Sequence, residues 1–146
     1  MDGLGQRPDV ADFDRTLTVN LASQFAIVRE FMADMRTRGS GHIVTIGSIA
    51  DHLAFAENAA YAASKFGVRA VHEVLRAELR GSGVRATLVS PGPTDTSIWD
   101  EIQPDTKPGF TPRAKMLAPS AVAAAVRFAV TQPPGVNVDE LRLTRS

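Results

Sequence analysis

The 146-residue sequence contains no cysteine, a single tyrosine, a single tryptophan and no long apolar run. Without cysteine the chain forms neither disulfide bonds nor thiolate-based metal sites, and it offers no thiol nucleophile. Its apolar segments are shorter than the ~18 to 20 residues that a membrane-spanning helix needs. Its first residues lack the basic and apolar regions of a secretory signal. These absences favour a cytoplasmic protein with no membrane partner.

Net charge is also absent, because 16 basic side chains balance 16 acidic ones. A chain without net charge has no bulk attraction for nucleic acid or for an anionic membrane surface. We therefore expect a small-molecule ligand or a protein partner, and no nucleic acid. The three histidines show no metal-ligand spacing, so we predict no metal site at His42, His52 or His72.

Length and hydrophobic pattern predict one α/β domain spanning residues 1–146. Apolar residues at steps of three or four predict helices, and short β-branched runs predict buried strands. The first helix is predicted to begin at Asp12, a good N-cap. Alternation of helix and strand is typical of a parallel sheet, here with three strands and three main helices. The predicted elements are helix 12–38, strand 42–48, helix 59–80, strand 84–92, a helix that begins at residue 119, and strand 136–144.

Helix 59–80 places Tyr61 and Lys65 four positions apart, and therefore on one face. A lysine cation within ~4 to 6 Å stabilises a phenolate and lowers the pKa of a tyrosine from its usual value of about 10. Such a pair can donate a proton to, or accept one from, an alcohol or carbonyl oxygen. The structural alternative is that Tyr61 packs in the core while Lys65 extends to water.

Other polar residues lie where a ligand of that pair would bind. Ser48 ends strand 42–48, and the carboxyl ends of parallel strands are where open α/β sheets bind ligands. Asn20 lies in a helix interior, where asparagine has poor propensity and no capping role. Taken singly, each is compatible with a purely structural role. At the end of strand 84–92, Pro91 and Gly92 open a turn, and Thr94, Asp95 and Thr96 offer hydroxyls and amides to a polar ligand.

Together these positions resemble the classical branch of the short-chain dehydrogenase/reductase family. Members of that branch have an Asn in the helix before the fifth strand and a Ser at the end of that strand. Tyr-x-x-x-Lys follows on the next helix, and Pro-Gly-x-x-x-Thr follows the sixth strand. Order, spacing and context all agree over essentially the whole chain. The corresponding residues here are Asn20, Ser48, Tyr61, Lys65 and Pro91 through Thr96.

The resemblance implies a fold, an activity and a role for each residue. The fold is part of a Rossmann-like, doubly wound parallel sheet, and the activity is hydride transfer between NAD or NADP and an alcohol or carbonyl substrate. Tyr61 would be the general acid and base, and Ser48 would hydrogen-bond the reacting oxygen. Lys65 would assist Tyr61 and hold the nicotinamide ribose, while Asn20 would position a water that relays protons to Lys65. The nicotinamide end would contact Tyr61, Lys65, Pro91, Gly92, Thr94 and Thr96.

The resemblance covers only the second, catalytic half of such proteins. The Gly-rich Thr-Gly-x-x-x-Gly-x-Gly turn does not occur in the sequence, and Met1 to Leu4 fall where the family has Asn-Ala-Gly-Leu. Because that turn holds the cofactor pyrophosphate on a helix N-terminus, cofactor binding by this chain alone is expected to be weakened or lost. Strand 42–48 would also lack a neighbour, so the chain alone should be marginally stable or self-associate.

Three interpretations of this departure stay open. The chain is an excerpt or a mis-started reading of a complete enzyme. Alternatively, it is a truncated, non-catalytic product that acts at most as a dimerisation or interaction module. The third possibility is that a separate chain supplies the other half.

Two further expectations concern partners and substrate. In the family the two long helices, here 12–38 and 59–80, form a four-helix interface, so the resemblance implies a homodimer or homotetramer. Substrate choice would be set by segments 49–57 and 93–118, whose apolar side chains suggest a partly apolar carbonyl or alcohol pocket. Those side chains are Leu53, Phe55, Ile98, Trp99, Phe110 and Met116. Ordinary packing of these segments as a lid is the equally open alternative.

Overall fold

The computed structural model describes residues 9–146. The predicted alternation of helices and strands is confirmed, whereas the expectation about Met1 to Leu4 lies outside the described residues. No helix within residues 9–146 has the length and apolar character needed to cross a bilayer. The main elements are α1 (Val10–Leu17), a π-helical segment (Thr18–Ala22), α2 (Ser23–Arg38), β1 (Gly41–Ile46), α3 (Ala59–Glu78), β2 (Val84–Pro91), α4 (Pro119–Val130) and β3 (Glu140–Leu143).

The three strands form one parallel sheet in the order β1-β2-β3. Gly41 of β1 pairs with Val84 of β2, and Leu88 of β2 pairs with Glu140 of β3. All three strands therefore end at the same edge of the sheet, which is where parallel α/β sheets bind ligands. Most of β2 is buried, as expected of a strand with a neighbour on each side.

The core lies between the sheet and the helices α2 and α3. Leu75 of α3 and the C-cap residue Leu79 pack against Val84 and Ala86 of β2, and all four are buried. The apolar spacing that predicts helix 59–80 is thus confirmed at Leu75 and Leu79. Half-buried residues of α2 and β1 complete the cluster, namely Val28, Met32, Met35 and Ile43.

The first helix begins before the predicted residue. Its N-cap is Asp9, whose carboxylate accepts a hydrogen bond from the backbone N–H of Ala11 at 2.9 Å, and Asp12 lies in the first turn. Asp12 instead pairs with Arg15 at 3.2 Å. The prediction was wrong because both aspartates suit a helix start and the apolar pattern alone does not choose between them.

The last strand is shorter than predicted. Residues 136–139 precede β3, and the side-chain amide of Asn137 takes the place of a backbone partner there. Its Oδ1 accepts from the Ala86 N–H at 3.0 Å and its Nδ2 donates to the Ala86 carbonyl at 3.0 Å. Since these groups of β2 are already satisfied, the ladder with β3 starts only at Glu140.

The helix before β1 contains a π-helical segment, which the sequence did not reveal. Asn20 lies in the middle of this segment and Leu21 follows it. The Leu21 side chain approaches α3 at Gly67, where an added Cβ would come within 2.7 Å of a Leu21 methyl group. Single π turns inside α-helices are frequent at functional sites. Here the π segment contains Asn20, whose side chain reaches the Ser64 hydroxyl of α3.

His72 of α3 should limit stability in acid. It is 2 % exposed, and its Nδ1 lies 2.9 Å from the Thr45 hydroxyl. Burial, aided by the positive charge of Arg76, lowers the pKa of His72 from 6.5 to about 4. The unfolded chain therefore takes up this proton at a higher pH than the folded chain. The free energy of unfolding should fall between pH 6.5 and about 4, by up to about 3 kcal/mol.

Urea unfolding at several pH values measures this loss. His72→Gln removes the titrating group and should flatten the decline. A residual slope is expected from His42, whose pKa is also lowered by burial. If the variant lost stability in acid as steeply as the parent chain, another group would be responsible.

Candidate active site

The candidate site residues come together at the carboxyl edge of the sheet. Gly47 and Ser48 follow the last residue of β1, and Pro91 is the last residue of β2. The first two turns of α3 carry Tyr61 and Lys65. The strand was predicted to reach Ser48 but ends at Ile46, because the Ser48 N–H is directed to the Asp51 carboxylate at 3.2 Å instead of to a strand.

Tyr61 and Lys65 face each other at the start of α3. The Lys65 ammonium lies over the Tyr61 ring, 5.7 Å from its centroid. Nζ also donates to the carbonyl of Ile46, the last residue of β1, at 3.3 Å. Burial lowers the pKa of Lys65, and the negative charge of Asp51 partly opposes that shift. The lysine is thus held between the tyrosine and the end of β1, and it does not extend freely into water.

Ser48 is a nearly buried residue whose hydroxyl caps a short turn. Its backbone is extended, and its Oγ accepts from the Ala50 N–H at 3.1 Å. The following residues, Ile49–Asp51, form one turn of 3-10 helix closed by a capping box between Ser48 and Asp51. Since the hydroxyl is an acceptor in this bond, it keeps its proton for a ligand oxygen.

Asn20 is joined to the site through Ser64. Its Nδ2 donates to the Ser64 hydroxyl at 3.1 Å, and that hydroxyl donates to the Tyr61 carbonyl at 2.7 Å. The side-chain amide of Asn20 is therefore linked to the backbone of the tyrosine. Its predicted relation to Lys65 through a water stays a prediction.

The segment after β2 is held in place by hydrogen bonds to backbone carbonyl groups. Gly92 donates its N–H to the Leu143 carbonyl at 2.8 Å, and the Thr94 hydroxyl donates to the Gly92 carbonyl at 3.0 Å. The Trp99 indole N–H donates to the Thr94 carbonyl at 2.8 Å. Thr96 is exposed, so its hydroxyl is accessible to a ligand. The four predicted contact residues 91, 92, 94 and 96 thus lie on one fixed turn at the end of β2.

Two loops flank this edge and carry exposed apolar side chains. Leu53 and Phe55 follow the Ser48 turn, and Ile98 and Phe110 belong to the segment after β2. Trp99 and Phe110 meet edge to face with 6.4 Å between ring centroids. Met116, by contrast, is 3 % exposed and belongs to the interior. Four of the six predicted pocket residues are therefore exposed.

The structure adds a charged cluster that the sequence had not indicated. Asp51 is fully buried and accepts hydrogen bonds from Arg69 of α3, and Arg69 also binds Glu140 of β3. Two sequence signals could have found it. Ser48 and Asp51 have the Ser-x-x-Asp spacing of a capping box, and Arg69 continues the Tyr61, Lys65 face by one more turn.

Comparison with known proteins connects this geometry to a family. The sequence profile of the family described as short chain dehydrogenase matches residues 4–107. A sepiapterin reductase of Chlorobaculum tepidum is 36% identical over 132 residues, which cover 90% of this chain and 52% of that protein. The chain thus spans about half the length of such curated relatives.

Solved structures give the same result. Serine dehydrogenase from Escherichia coli superposes with a TM-score of 0.81 at 27% identity, covering 98% of this chain and 57% of that one. An alcohol dehydrogenase from the archaeon Thermococcus sibiricus, complexed with 5-hydroxy-NADP, superposes with a TM-score of 0.78 at 26% identity, covering 94% and 55%. The chain belongs to the short-chain dehydrogenase family.

Proposed function

We propose that this chain carries the proton-transfer and nicotinamide-side part of an NAD(P)-dependent oxidoreductase that interconverts an alcohol and a carbonyl. One observation carries the proposal. The Lys65 ammonium lies over the Tyr61 ring and is fixed by the carbonyl at the end of β1, next to the turn that presents Ser48. A phenol, a cation and a hydroxyl donor at one sheet edge are the groups that protonate a carbonyl oxygen.

In this proposal each residue has a separate task. The Tyr61 hydroxyl donates its proton to the substrate oxygen during reduction and accepts it back during oxidation. The Lys65 cation stabilises the phenolate that remains. Ser48 donates a hydrogen bond to the same substrate oxygen and orients it. Asn20, through Ser64, holds the first turn of α3 and with it the tyrosine backbone.

The residues present fit the nicotinamide end of NAD or NADP. The Lys65 ammonium has three N–H donors, and one binds the Ile46 carbonyl, which leaves donors for ribose hydroxyls. The exposed Thr96 hydroxyl and the fixed turn at Gly92 suit a polar carboxamide. When bound, the nicotinamide would supply or accept the hydride. The 146 residues contain no Gly-rich phosphate turn, so this chain is proposed to bind the cofactor weakly.

The substrate class follows from the loops beside the site. Exposed Leu53, Phe55, Ile98 and Phe110 flank the sheet edge, so we propose a partly apolar aldehyde, ketone or alcohol. Incubation with NADPH or NADH and a series of aldehydes and ketones of increasing chain length tests this function. Loss of nicotinamide absorbance that grows with apolar chain length supports it. Turnover confined to highly charged carbonyl substrates would contradict the proposed class.

A second candidate function is self-association through α2 and α3. Both helices expose large apolar side chains, including Phe25 and Phe31 of α2 and Phe66 and Val74 of α3. Exposed apolar groups of this kind mark protein contacts when they are contiguous. We propose a homodimer or homotetramer formed by these two helices.

The association is testable with two aromatic residues of equal exposure. Phe25 of α2 and Phe128 of α4 are each 53 % exposed, but only Phe25 lies on a proposed contact helix. In sedimentation equilibrium, Phe25→Glu should weaken association by about tenfold or more. Phe128→Glu should leave it unchanged. Equal effects of both substitutions, or a monomer at all concentrations, would exclude this interface.

A further inference from the structure

Asp51, the last residue of the Ser48 turn, carries a fully buried carboxylate. Its Oδ2 accepts hydrogen bonds from the Ser48 N–H at 3.2 Å and from the Ser90 hydroxyl of β2 at 2.5 Å. Its Oδ1 accepts from Arg69 of α3 and from Nδ1 of His52 at 2.7 Å. Ser48 and His52 are the two caps of one turn, Ser90 lies on β2 and Arg69 lies on α3. The carboxylate thus joins the Ser48 turn to β2 and to α3.

Arg69 extends the same connection to the third strand. Its Nε and Nη2 lie 3.1 and 2.9 Å from Asp51 Oδ1, and Nη2 also lies 2.6 Å from an oxygen of Glu140 on β3. Arg142 donates to that Glu140 oxygen at 2.6 Å. We call Asp51, Arg69 and Glu140 the anchor triad. It links the turn after β1 to α3 and to Glu140, the first residue of β3.

The triad is charged at neutral pH. Burial acts to raise the pKa of Asp51, but hydrogen bonds from Ser90, His52, the Ser48 amide and Arg69 outweigh it, and the pKa lies below its usual value. The hydrogen bond from Arg69 is the main reason that the pKa of Glu140 falls to about 2. A buried carboxylate that keeps its charge needs a fixed cation beside it. Arg69 supplies that cation.

The turn is also shaped to receive the carboxylate. A Cβ at Gly47 would lie 2.3 Å from Asp51 Oδ2 and 3.1 Å from the Ser90 hydroxyl. Any side chain at this position would therefore displace the Asp51 carboxylate. Gly47, which precedes Ser48, and Asp51, which anchors Ser48, therefore fit each other sterically.

From this geometry we propose that Asp51 and Arg69 are positioning residues that fix the Ser48 hydroxyl for the reacting oxygen. The Ser48 N–H is held by Asp51, Asp51 is held by Arg69, and Arg69 is held on β3 by Glu140. The serine is therefore aligned against the tyrosine face of α3 by a network that spans the sheet. The catalytic consequence rests on the proposed function, whereas the structural consequence does not.

The structural consequence is tested by amide hydrogen exchange of the 146-residue chain. Asp51→Asn removes the charge, and Arg69→Lys keeps a cation but loses the guanidinium fork that reaches both carboxylates. The Ser48 amide should exchange at least about tenfold faster in both variants, while amides in the middle of α3 keep their rates. Arg76→Lys is the matched control. Arg76 also joins α3 to the β3 segment, through Asp139 at 2.8 Å, without contacting Asp51.

Gly47→Ala gives an independent test if the charge variants do not fold. It leaves every charge in place but moves the carboxylate, and it should accelerate exchange of the Ser48 amide in the same way. The proposal fails if the Ser48 amide exchanges equally in the Arg69→Lys and Arg76→Lys variants. It also fails if the variants accelerate exchange uniformly across the chain, because the triad would then support only global stability.

The catalytic consequence is tested where turnover is measurable. Asp51→Asn should lower kcat by about tenfold to a hundredfold, with little change in cofactor affinity. In a Ser48→Ala background the same substitution should cost less than about threefold, because it acts through the serine. Additive losses would contradict the positioning role. Absence of turnover in the parent chain would instead count against the proposed function and leave the exchange result to decide the triad.

Discussion

Replacement of Tyr61 by phenylalanine is expected to reduce turnover by about a thousandfold while leaving the fold intact. The substitution removes only the phenolic oxygen, and with it the exchangeable proton that the proposed mechanism transfers. Positioned general acids and bases contribute about 10² to 10⁴ in rate. The ring stays in place beneath the Lys65 ammonium, so the packing of the first turn of α3 should not change.

Nicotinamide absorbance in the presence of the best carbonyl substrate measures this loss. Urea unfolding of the variant should match that of the parent chain, which excludes misfolding as the cause. Lys65→Met removes the cation that stabilises the phenolate and should also lower turnover strongly. A Tyr61→Phe variant with activity within about threefold of the parent would show that another group transfers the proton.

Gly83→Ala is expected to destabilise the chain by about 3 to 5 kcal/mol. Gly83 has a φ of +79°, and an added Cβ would lie 2.1 Å from the backbone carbonyl oxygen of Gly39. Gly39 lies in the turn between α2 and β1, and Gly83 lies in the turn between α3 and β2. The two turns touch at these glycines. A backbone carbonyl cannot rotate away as a flexible side chain can. The backbone before β1 or before β2 would therefore have to shift.

A substitution at Gly81 measures the cost of backbone strain without a steric clash. It has a φ of +74°, but an added Cβ would meet nothing within 4 Å. Gly81→Ala should therefore cost only the left-handed strain of a residue with a side chain, about 1 kcal/mol. Urea unfolding of the two variants gives the difference directly. Equal losses of unfolding free energy in the two variants would mean that the close approach of Gly83 to Gly39 does not affect stability.

The order and type of the main elements could be predicted because each depends on local pattern. The apolar stripe that ends at Leu75 and Leu79 and the β-branched run of β1 are both readable over a few residues. The π-helical turn at Asn20 could not be predicted, because it accompanies the close packing of Leu21 on Gly67. The late start of β3 depends on the Asn137 side chain and on a strand 51 residues away.

In the candidate site, too, the features set by local spacing could be predicted and those set by distant contacts could not. Tyr61 and Lys65 are one helical turn apart, so their proximity follows from spacing alone. Ser48 joins them because a parallel strand ends there. Asp51 and Glu140, in contrast, are held together only by Arg69, and the residues involved are far apart in the chain. Local spacing places Asp51 in a capping box and Arg69 on the Tyr61 face, but it does not show that their side chains meet or that Glu140 joins them.

We propose above all that this edge of the sheet holds the nicotinamide end of a cofactor. Trp99 is the only tryptophan in the chain and lies on the segment after β2, bonded to Thr94. Titration with NADPH, followed by Trp99 and nicotinamide fluorescence, reports binding without any substrate. Lys65→Met is the variant to compare, because it keeps the length of the side chain and removes the ammonium.

We expect a weak but saturable change in the parent chain, with affinity reduced by about tenfold or more in the Lys65→Met variant. No saturable change, or equal affinity of the two proteins, would contradict it.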